Sequence, residues 1–187
     1  RDLITLINDL LDYAAIESGH FKLTRLPANL KQIIERRIWI HRNQARTKRI
    51  DLVAELRDVP PISADQDRLG QVVDNLVGNA IKFSPTGSTI WLRLEHDHQS
   101  VQFEVLDQGP GLTVADLQLL FREFQKLSAQ PTGGEKSTGL GLAIVKRIVE
   151  AHQGSLEAMN GPSGGALFRC RFPIPAPPGE TPDSTAA

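Results

Sequence analysis

Residues 65–84, DQDRLGQVVDNLVGNAIKFS, decide the fold. Asp65 precedes a run with helical period, which predicts a helix from about Gln66 to Phe83. Leu69, Val72, Val73, Leu76, Val77, Ala80, Ile81 and Phe83 cover roughly half its circumference, so most of it should be buried. At 100° per residue Gln71, Asn75, Asn79 and Lys82 fall within roughly 80° of one another and form a narrow polar strip. Solvated faces usually carry Glu and Lys; two asparagines and one lysine beside a wide apolar arc suggest a cavity wall. Amide oxygens one turn apart at 75 and 79 can ligate a hard cation or its waters, and Lys82 adds a cation for phosphate. Taken alone, the strip is better read as simply facing water.

Working outward, 29–46 reads as a helix with Ile33, Ile34, Ile38 and Trp39 inward, and 21–27 and 50–56 read as strands on either side of it. Pro60-Pro61 break the chain before Asp65. Strands at 88–96 and 100–107 form a hairpin turning at 97–99, and a short helix follows near 115–121. The stretch 128–138 is a loop rich in Gly, Ser and Thr, a candidate lid. Gly139 opens an apolar helix to about His152, and strands at 155–159 and 166–172 close the domain. Strands in an antiparallel or mixed sheet with three helices on one face make an α+β fold, a two-layer α/β sandwich, without the regular βαβ alternation of a doubly wound sheet.

Two further motifs carry chemistry. Asp107-Gln108-Gly109-Pro110-Gly111 lies where a strand ends, and a carboxylate emerging there can accept a hydrogen bond from an exocyclic amine such as that of adenine. A tight turn is the alternative. Ser137-Thr138-Gly139-Leu140-Gly141-Leu142 leads into a helix N-terminus, where unpaired N–H groups attract phosphate, although a Gly-X-Gly at a helix start can also be packing alone. A dinucleotide fingerprint would need glycine in place of Ile144, and a P-loop would need Gly-Lys-Ser/Thr, whereas Lys136 follows Glu135.

The order of the three motifs resembles the ATP-binding fold shared by histidine kinases, type II topoisomerases, the ninety-kilodalton heat-shock chaperones and mismatch-repair ATPases. The resemblance spans about 21–172 and is tightest toward the histidine kinases. Asp67-Arg68-Leu69 to Asn79-Ala80-Ile81-Lys82-Phe83-Ser84 is similar to their asparagine box, and Phe121-Arg122-Glu123-Phe124 to their phenylalanine box. Asn160-Gly161 to Ala166-Leu167-Phe168 loosely resembles their last glycine turn, and residues 1–20 resemble the second helix of their dimerisation domain. That resemblance implies three parts: a partial dimerisation helix (1–20), a catalytic ATP-binding domain (21–172) and a Pro-rich linker or tail (173–187).

It further implies ATP and Mg²⁺ as cofactors. Asn79 would hold the metal, and Asn75 would support metal and phosphates. Lys82 would contact a phosphate, making Asn75 and Lys82 the catalytic pair. Asp107 would take the adenine amine, Gly109 and Gly111 would hinge the lid, and Lys126 would stand where the family often has an arginine reaching the phosphates. Thr138, Gly139, Leu140 and Gly141 would form the phosphate-facing run, the two glycines through backbone N–H groups. The implied partners are a phosphoacceptor helix of the same or a second subunit, a response regulator or receiver domain, and a second copy in a homodimer. The implied location is a cytoplasmic domain, whose parent can be membrane-anchored.

Related ATPases place a glutamate where Asn75 stands, and an amide is a poor base, so slow hydrolysis and transfer to a histidine are the expected chemistry. The family's phosphoacceptor motif matches none of His20, His41, His96, His98 or His152, so the acceptor would lie before Arg1. A nucleotide-responsive module without kinase activity, a simple ATPase and a structural domain are the competing readings.

Composition sets outer bounds. In 187 residues, 40% hydrophobic and 23% charged, a chain can bury roughly 70% of its unfolded surface, which excludes wholesale disorder. Twenty-one basic against 22 acidic side chains give a net charge of −1 and no bulk attraction to nucleic acid. The single cysteine, Cys170, excludes an internal disulfide.

Overall fold

The computed structural model of the chain describes residues 7, 11, 14, 22–125, 127–133 and 139–175. In chain order these form β1 (Leu26–Ala28), α1 (Leu30–Thr47), β2 (Asp51–Leu56), β3 (Ile62–Ala64), α2 (Gln66–Phe83), β4 (Thr89–His96) and β5 (Ser100–Leu106). Then come α3 (Val114–Leu119), α4 (Gly141–Ala151), β6 (Ser155–Asn160) and β7 (Ala166–Pro173). Five strands make one sheet in the order β2-β4-β5-β7-β6, and β1 pairs antiparallel with β3 in a separate two-stranded piece. Among the described strand pairs only β2 and β4 run parallel, which requires a long crossover, and α2 lies within it.

Strand alternation explains the two layers. Ile90, Leu92 and Leu94 on β4, Val101, Phe103 and Val105 on β5, and Ala166, Phe168, Cys170 and Phe172 on β7 are buried and share one core with α1, α2 and α4. Helix α2 is the middle of the helical layer, packed on α1 to one side and α4 to the other. Burial pushes the Cys170 thiol up to about 12, so it packs as a small apolar group.

The other face of the sheet carries charge. Glu55, Arg93, Glu104, Arg169 and Glu157 fall on one cross-strand row spanning all five strands, with alternating sign. Arg169 Nε donates to Glu104 Oε1 at 2.6 Å and its Nη1 to Glu157 Oε2 at 3.3 Å; Arg93 Nε donates to Glu55 Oε2 at 3.3 Å. A solvated face needs such cross-strand partners because like charges in register would repel.

Local chemistry fixes where α2 begins. Asp65 Oδ1 accepts the N–H groups of Asp67 and Arg68, both at 3.2 Å, and Oδ2 accepts that of Thr24 at 3.0 Å. Those three bonds hold its carboxyl below the usual range even though burial pushes the other way. The Asp65 N–H in turn donates to Nε2 of His152 at 3.0 Å, tying the start of α2 to the end of α4.

Several expectations need correction. Trp39 does not face inward: it is 71% exposed, because the buried stripe of α1 is Leu30, Ile34, Ile38 and Ala45, and residue 39 lies a further 100° round from Ile38. The strand expected over 21–27 shrinks to β1, and β3 went unforeseen because three residues after two prolines are too few to show a period. Helix α4 starts at Gly141, two residues late, because Gly139 is left-handed at φ +72°. The helix expected at the N-terminus lies outside the described residues apart from Ile7, Leu11 and Ala14, which are helical, as does the tail from residue 176. Among the described residues no helix is long and apolar enough to cross a membrane.

Candidate functional site

Half-buried Asn75 and Asn79 occupy successive turns of α2. Asn75 Nδ2 donates to the carbonyl of Gln71 one turn back at 3.0 Å, which fixes the amide and turns Oδ1 away from its own helix. That oxygen meets the start of α4: a β-carbon on Gly141 would lie 2.5 Å from it. The asparagine strip and the second glycine of the Gly-Leu-Gly run are therefore in contact although 66 residues separate them in the sequence. The Asn79 side chain makes no hydrogen bond among the described residues. Lys82 Nζ lies 5.6 Å from the ring centroid of Phe83.

Asp107 follows the last residue of β5 and is 5% exposed. Its Oδ1 accepts the N–H of Gly109 at 2.8 Å and of Ala166 at 3.0 Å, and its own N–H donates to Ala166 O at 3.0 Å. Both donors reach Oδ1, and no described residue donates to Oδ2. Burial raises the pKa of this carboxyl, and the two backbone N–H groups only partly offset it. Gly109 sits against both partners: a β-carbon there would lie 3.0 Å from Asp107 Oδ1 and 3.0 Å from Phe83 O at the end of α2. This joins the base of the Asp107 turn to the asparagine helix.

The next turn is clamped from β6. Gly111, at φ +75°, is crowded by Asn160, whose Oδ1 accepts the Leu112 N–H at 2.7 Å and whose Nδ2 donates to Leu112 O at 2.9 Å. Gly165, at φ +78°, lies so close to Asp107 that a β-carbon would overlap its carbonyl. The loosely matched glycine turn thus supports the carboxylate. At α4, Gly139 O accepts the Phe124 N–H at 3.1 Å, joining the phenylalanine box to the glycine run. Leu140 is buried and offers no side-chain cap, so the positive end of an 11-residue helix faces the Asn75 side.

Asn75, Asp107, Gly109, Gly139, Leu140 and Gly141 are therefore linked through or around α2, with Asn79 and Lys82 on its polar strip. Lys126 and Thr138 lie outside the described residues. Two anchors escaped the sequence reading. Asp116 accepts from Thr113 N and Oγ1 at 3.0 and 2.7 Å and from Ser128 N at 2.8 Å, with Ser128 Oγ closing on Oδ2. Burial opposes its charge, yet these bonds hold its pKa well below the carboxylate range. The Thr113-x-x-Asp116 spacing of a capping box was the available signal. Lys48, at the end of α1, reaches α2 and Thr132, and no local pattern announces it.

Residues 64–176 match the model for the family described as histidine kinase-, DNA gyrase B- and HSP90-like ATPase. The sensor histidine kinase GacS of Pseudomonas protegens is 36% identical over 92% of this chain, which covers 20% of that protein. The chain spans 14–20% of the length of the first three curated relatives it matches. Among solved structures, the catalytic domain of histidine kinase ThkA superposes with a TM-score of 0.70 at 27% identity, over 82% of this chain and 96% of that one. Full-length ShkA, solved in complex with AMPPNP, gives a TM-score of 0.79 at 29% identity, over 95% of this chain and 37% of that one. With asparagine helix, strand-end aspartate and glycine-led helix joined as described, the chain belongs to the histidine kinase-, DNA gyrase B- and HSP90-like ATPase family, as a catalytic ATP-binding domain of the histidine kinase type.

Proposed function

We propose that this chain binds Mg-ATP along α2 and passes the γ-phosphate to a histidine imidazole on a dimerisation helix. The observation that carries this reading is the contact of Asn75 Oδ1 with Gly141 on the same helix whose far end abuts Gly109 and Asp107. One helix thus spans the distance between a carboxylate suited to a base and a helix start suited to phosphates.

Asp107 Oδ2 accepts the adenine amine, and the Asp107 carboxylate is held for this by Gly109 and Ala166. Gly139 and Gly141 present backbone N–H groups to phosphate oxygens, and missing β-carbons keep that approach open. The Asn79 carboxamide oxygen is a hard, neutral donor of the kind Mg²⁺ accepts, with Asn75 beside it. When bound, the ion supplies neutralisation of phosphate charge. Lys82 contacts a phosphate, a role proposed also for Lys126 and Thr138. The imidazole nitrogen forms a bond to phosphorus as the bridging oxygen leaves with ADP, and the imidazole proton is released to solvent. Asn75 cannot serve as a base for water, which favours this acceptor over hydrolysis.

The acceptor is external to this chain. His152 donates from Nδ1 to Ile148 O at 2.7 Å and accepts Asp65 N–H at Nε2, while His41 Nε2 lies 3.0 Å from Asp74 Oδ1. Both are engaged in packing. By the same reading residues 1–20 belong to the dimerisation unit, 21–172 to the catalytic unit and 173–187 to a linker; the partners are an acceptor helix, a response regulator or receiver domain, and a second copy. The unit works in the cytoplasm.

The test is incubation with γ-labelled ATP. Acid-labile phosphate should appear on an added acceptor helix and not on this chain alone. Stable labelling of this chain without the helix overturns the reading.

A further inference from the structure

Helix α1 is the outer member of the helical layer, packed on α2 along one flank and on β2. Its buried stripe, Leu30, Ile34, Ile38 and Ala45, leaves the opposite face to solvent. On that face stands Trp39, 71% exposed, with Ile40 beside it at 45%. Tryptophan is seldom left so open, because its large apolar surface gains much from burial.

The neighbours of Trp39 are arginines. Arg36, Arg42 and Arg46 lie at i−3, i+3 and i+7, within about 60° of it at 100° per residue, and all three are exposed. Arg49, also exposed, follows just beyond the helix. Among the described residues none of these four forms an ion pair. The acids nearby are already engaged: Asp58 is bonded to Lys31 at 2.7 Å, and Asp74, on the α2 flank, to Arg37 and His41 at 3.0 Å each. Glu35 is the one acidic residue within α1. A chain of net charge −1 thus gathers four unpaired cations around one exposed indole.

We propose that this face of α1 docks on an anionic membrane surface. An indole among guanidinium groups suits the headgroup layer, where the ring takes the interfacial position and the cations meet lipid phosphates. An acidic protein surface would share the charge but not the apolar fit. A protein interface needs a packed apolar core within about 800 Å² per partner, whereas the exposed large apolar residues of this helix are Trp39 and Ile40 alone. The helix ridge is also convex, and the groove lined by Trp91, Leu106 and Leu167 lies on the opposite side of the sheet.

The experiment sediments the whole chain with vesicles of phosphatidylcholine and phosphatidylglycerol in equal parts, and with vesicles of phosphatidylcholine alone. The chain should bind the anionic vesicles and be released by high salt. Binding should shift tryptophan emission to the blue, and Trp39→Phe should remove the shift. Arg36→Gln, Arg42→Gln and Arg46→Gln should each weaken binding about fivefold, and the triple variant about a hundredfold. Glutamine keeps the helix propensity of arginine, so the urea midpoints should hold. Failure of the wild type to bind anionic vesicles overturns the proposal, as does equal binding to both kinds of vesicle or binding that survives the triple variant. A Trp39 emission that soluble poly-glutamate shifts and vesicles do not would assign the face to an acidic protein and overturn it too. Dimers of the free chain that Trp39→Ser abolishes would assign it to a second copy, with the same consequence. None of these readouts depends on nucleotide, so they stand or fall apart from the ATP reading.

Discussion

The Asn75 carboxamide oxygen and Gly141 touch so closely that a β-carbon at 141 would lie 2.5 Å from the oxygen. The contact leaves no room for the smallest side chain at the first residue of α4. Asn75 cannot retreat without losing its bond to Gln71 O.

Gly141→Ala is therefore expected to weaken binding of an ATP analogue at least tenfold. Alanine favours the helix by about 1 kcal/mol over glycine, so the global fold should survive. Calorimetry and a urea melt on the same sample separate the two effects. Undiminished affinity with normal stability would show that the Asn75–Gly141 contact plays no part in binding.

Asp107→Asn replaces a charged acceptor with a neutral amide that can rotate to present a donor. The expected loss of ATP affinity is about 1–3 kcal/mol, with discrimination against GTP reduced. Burial raises the Asp107 pKa, so protonation begins above the ordinary carboxylate range. ATP affinity in the wild type should fall as pH drops through that raised value, because the protonated acid is the wrong partner for an amine. The native state binds this proton more readily than the unfolded chain, so the site's own cost to stability is relieved at low pH and felt as pH rises. A flat affinity profile between pH 7 and the carboxylate range, in the wild type, counts against Asp107 as the base acceptor.

Much of this was legible from residue order, and for identifiable reasons. Helix α2 announces itself because a preceding aspartate, an apolar period and a polar strip all coincide over 18 residues, and its bounds fall where that pattern starts and stops, at Gln66 and Phe83. The β4–β5 hairpin is equally local: alternation on both sides and Asp97 Oδ1 accepting from Gln99 and Ser100 in the turn. Trp39 misled because hydrophobicity gives no direction of facing at the edge of an apolar stripe. Lys48 was invisible for a different reason. Its described partners include Ile81, Lys82 and Thr132, more than 30 residues away, and the bonds to Ile81 and Lys82 go to backbone carbonyls, which every residue possesses. The same holds for Asn160, whose contact with Leu112 spans 48 residues.

His152 gives a pH dependence of opposite sign to that of Asp107. It is 3% exposed, edge-on to Phe172, and holds one tautomer, with Nδ1–H on Ile148 O and Nε2 accepting from Asp65. Burial lowers its pKa from 6.5. The unfolded chain therefore binds the proton first as pH falls, and stability is lost from about pH 6.5 downward until the lowered value is passed. A protonated ring would also present a donor to the Asp65 N–H. Urea midpoints at pH 5.5 and 7.5 should differ in the wild type and differ less in His152→Gln. An identical pH dependence in the two proteins means another group is responsible.

The charged row on the open sheet face allows a contrast between two arginines of the same type. Arg169 bonds Glu104 at 2.6 Å, and the two side chains are 24% and 10% exposed. Arg93 reaches the same glutamate only at 4.0 Å and Glu55 at 3.3 Å, with its own side chain 54% exposed. Removing Arg169 strands a carboxylate that water reaches poorly, a loss of roughly 2–3 kcal/mol once partial exposure is allowed for. Removing Arg93 leaves partners that solvent can serve, and surface pairs contribute about 0–1 kcal/mol. Arg169→Met should therefore lower the urea midpoint well beyond Arg93→Met, and 1 M salt should shrink the smaller effect more than the larger, since buried pairs are screened less. Replacing Glu104 by Gln in the Arg169→Met background should recover part of the loss, because the stranded charge is gone. Equal costs for the two arginines would mean that the row stabilises through its summed field rather than through the Glu104 contact.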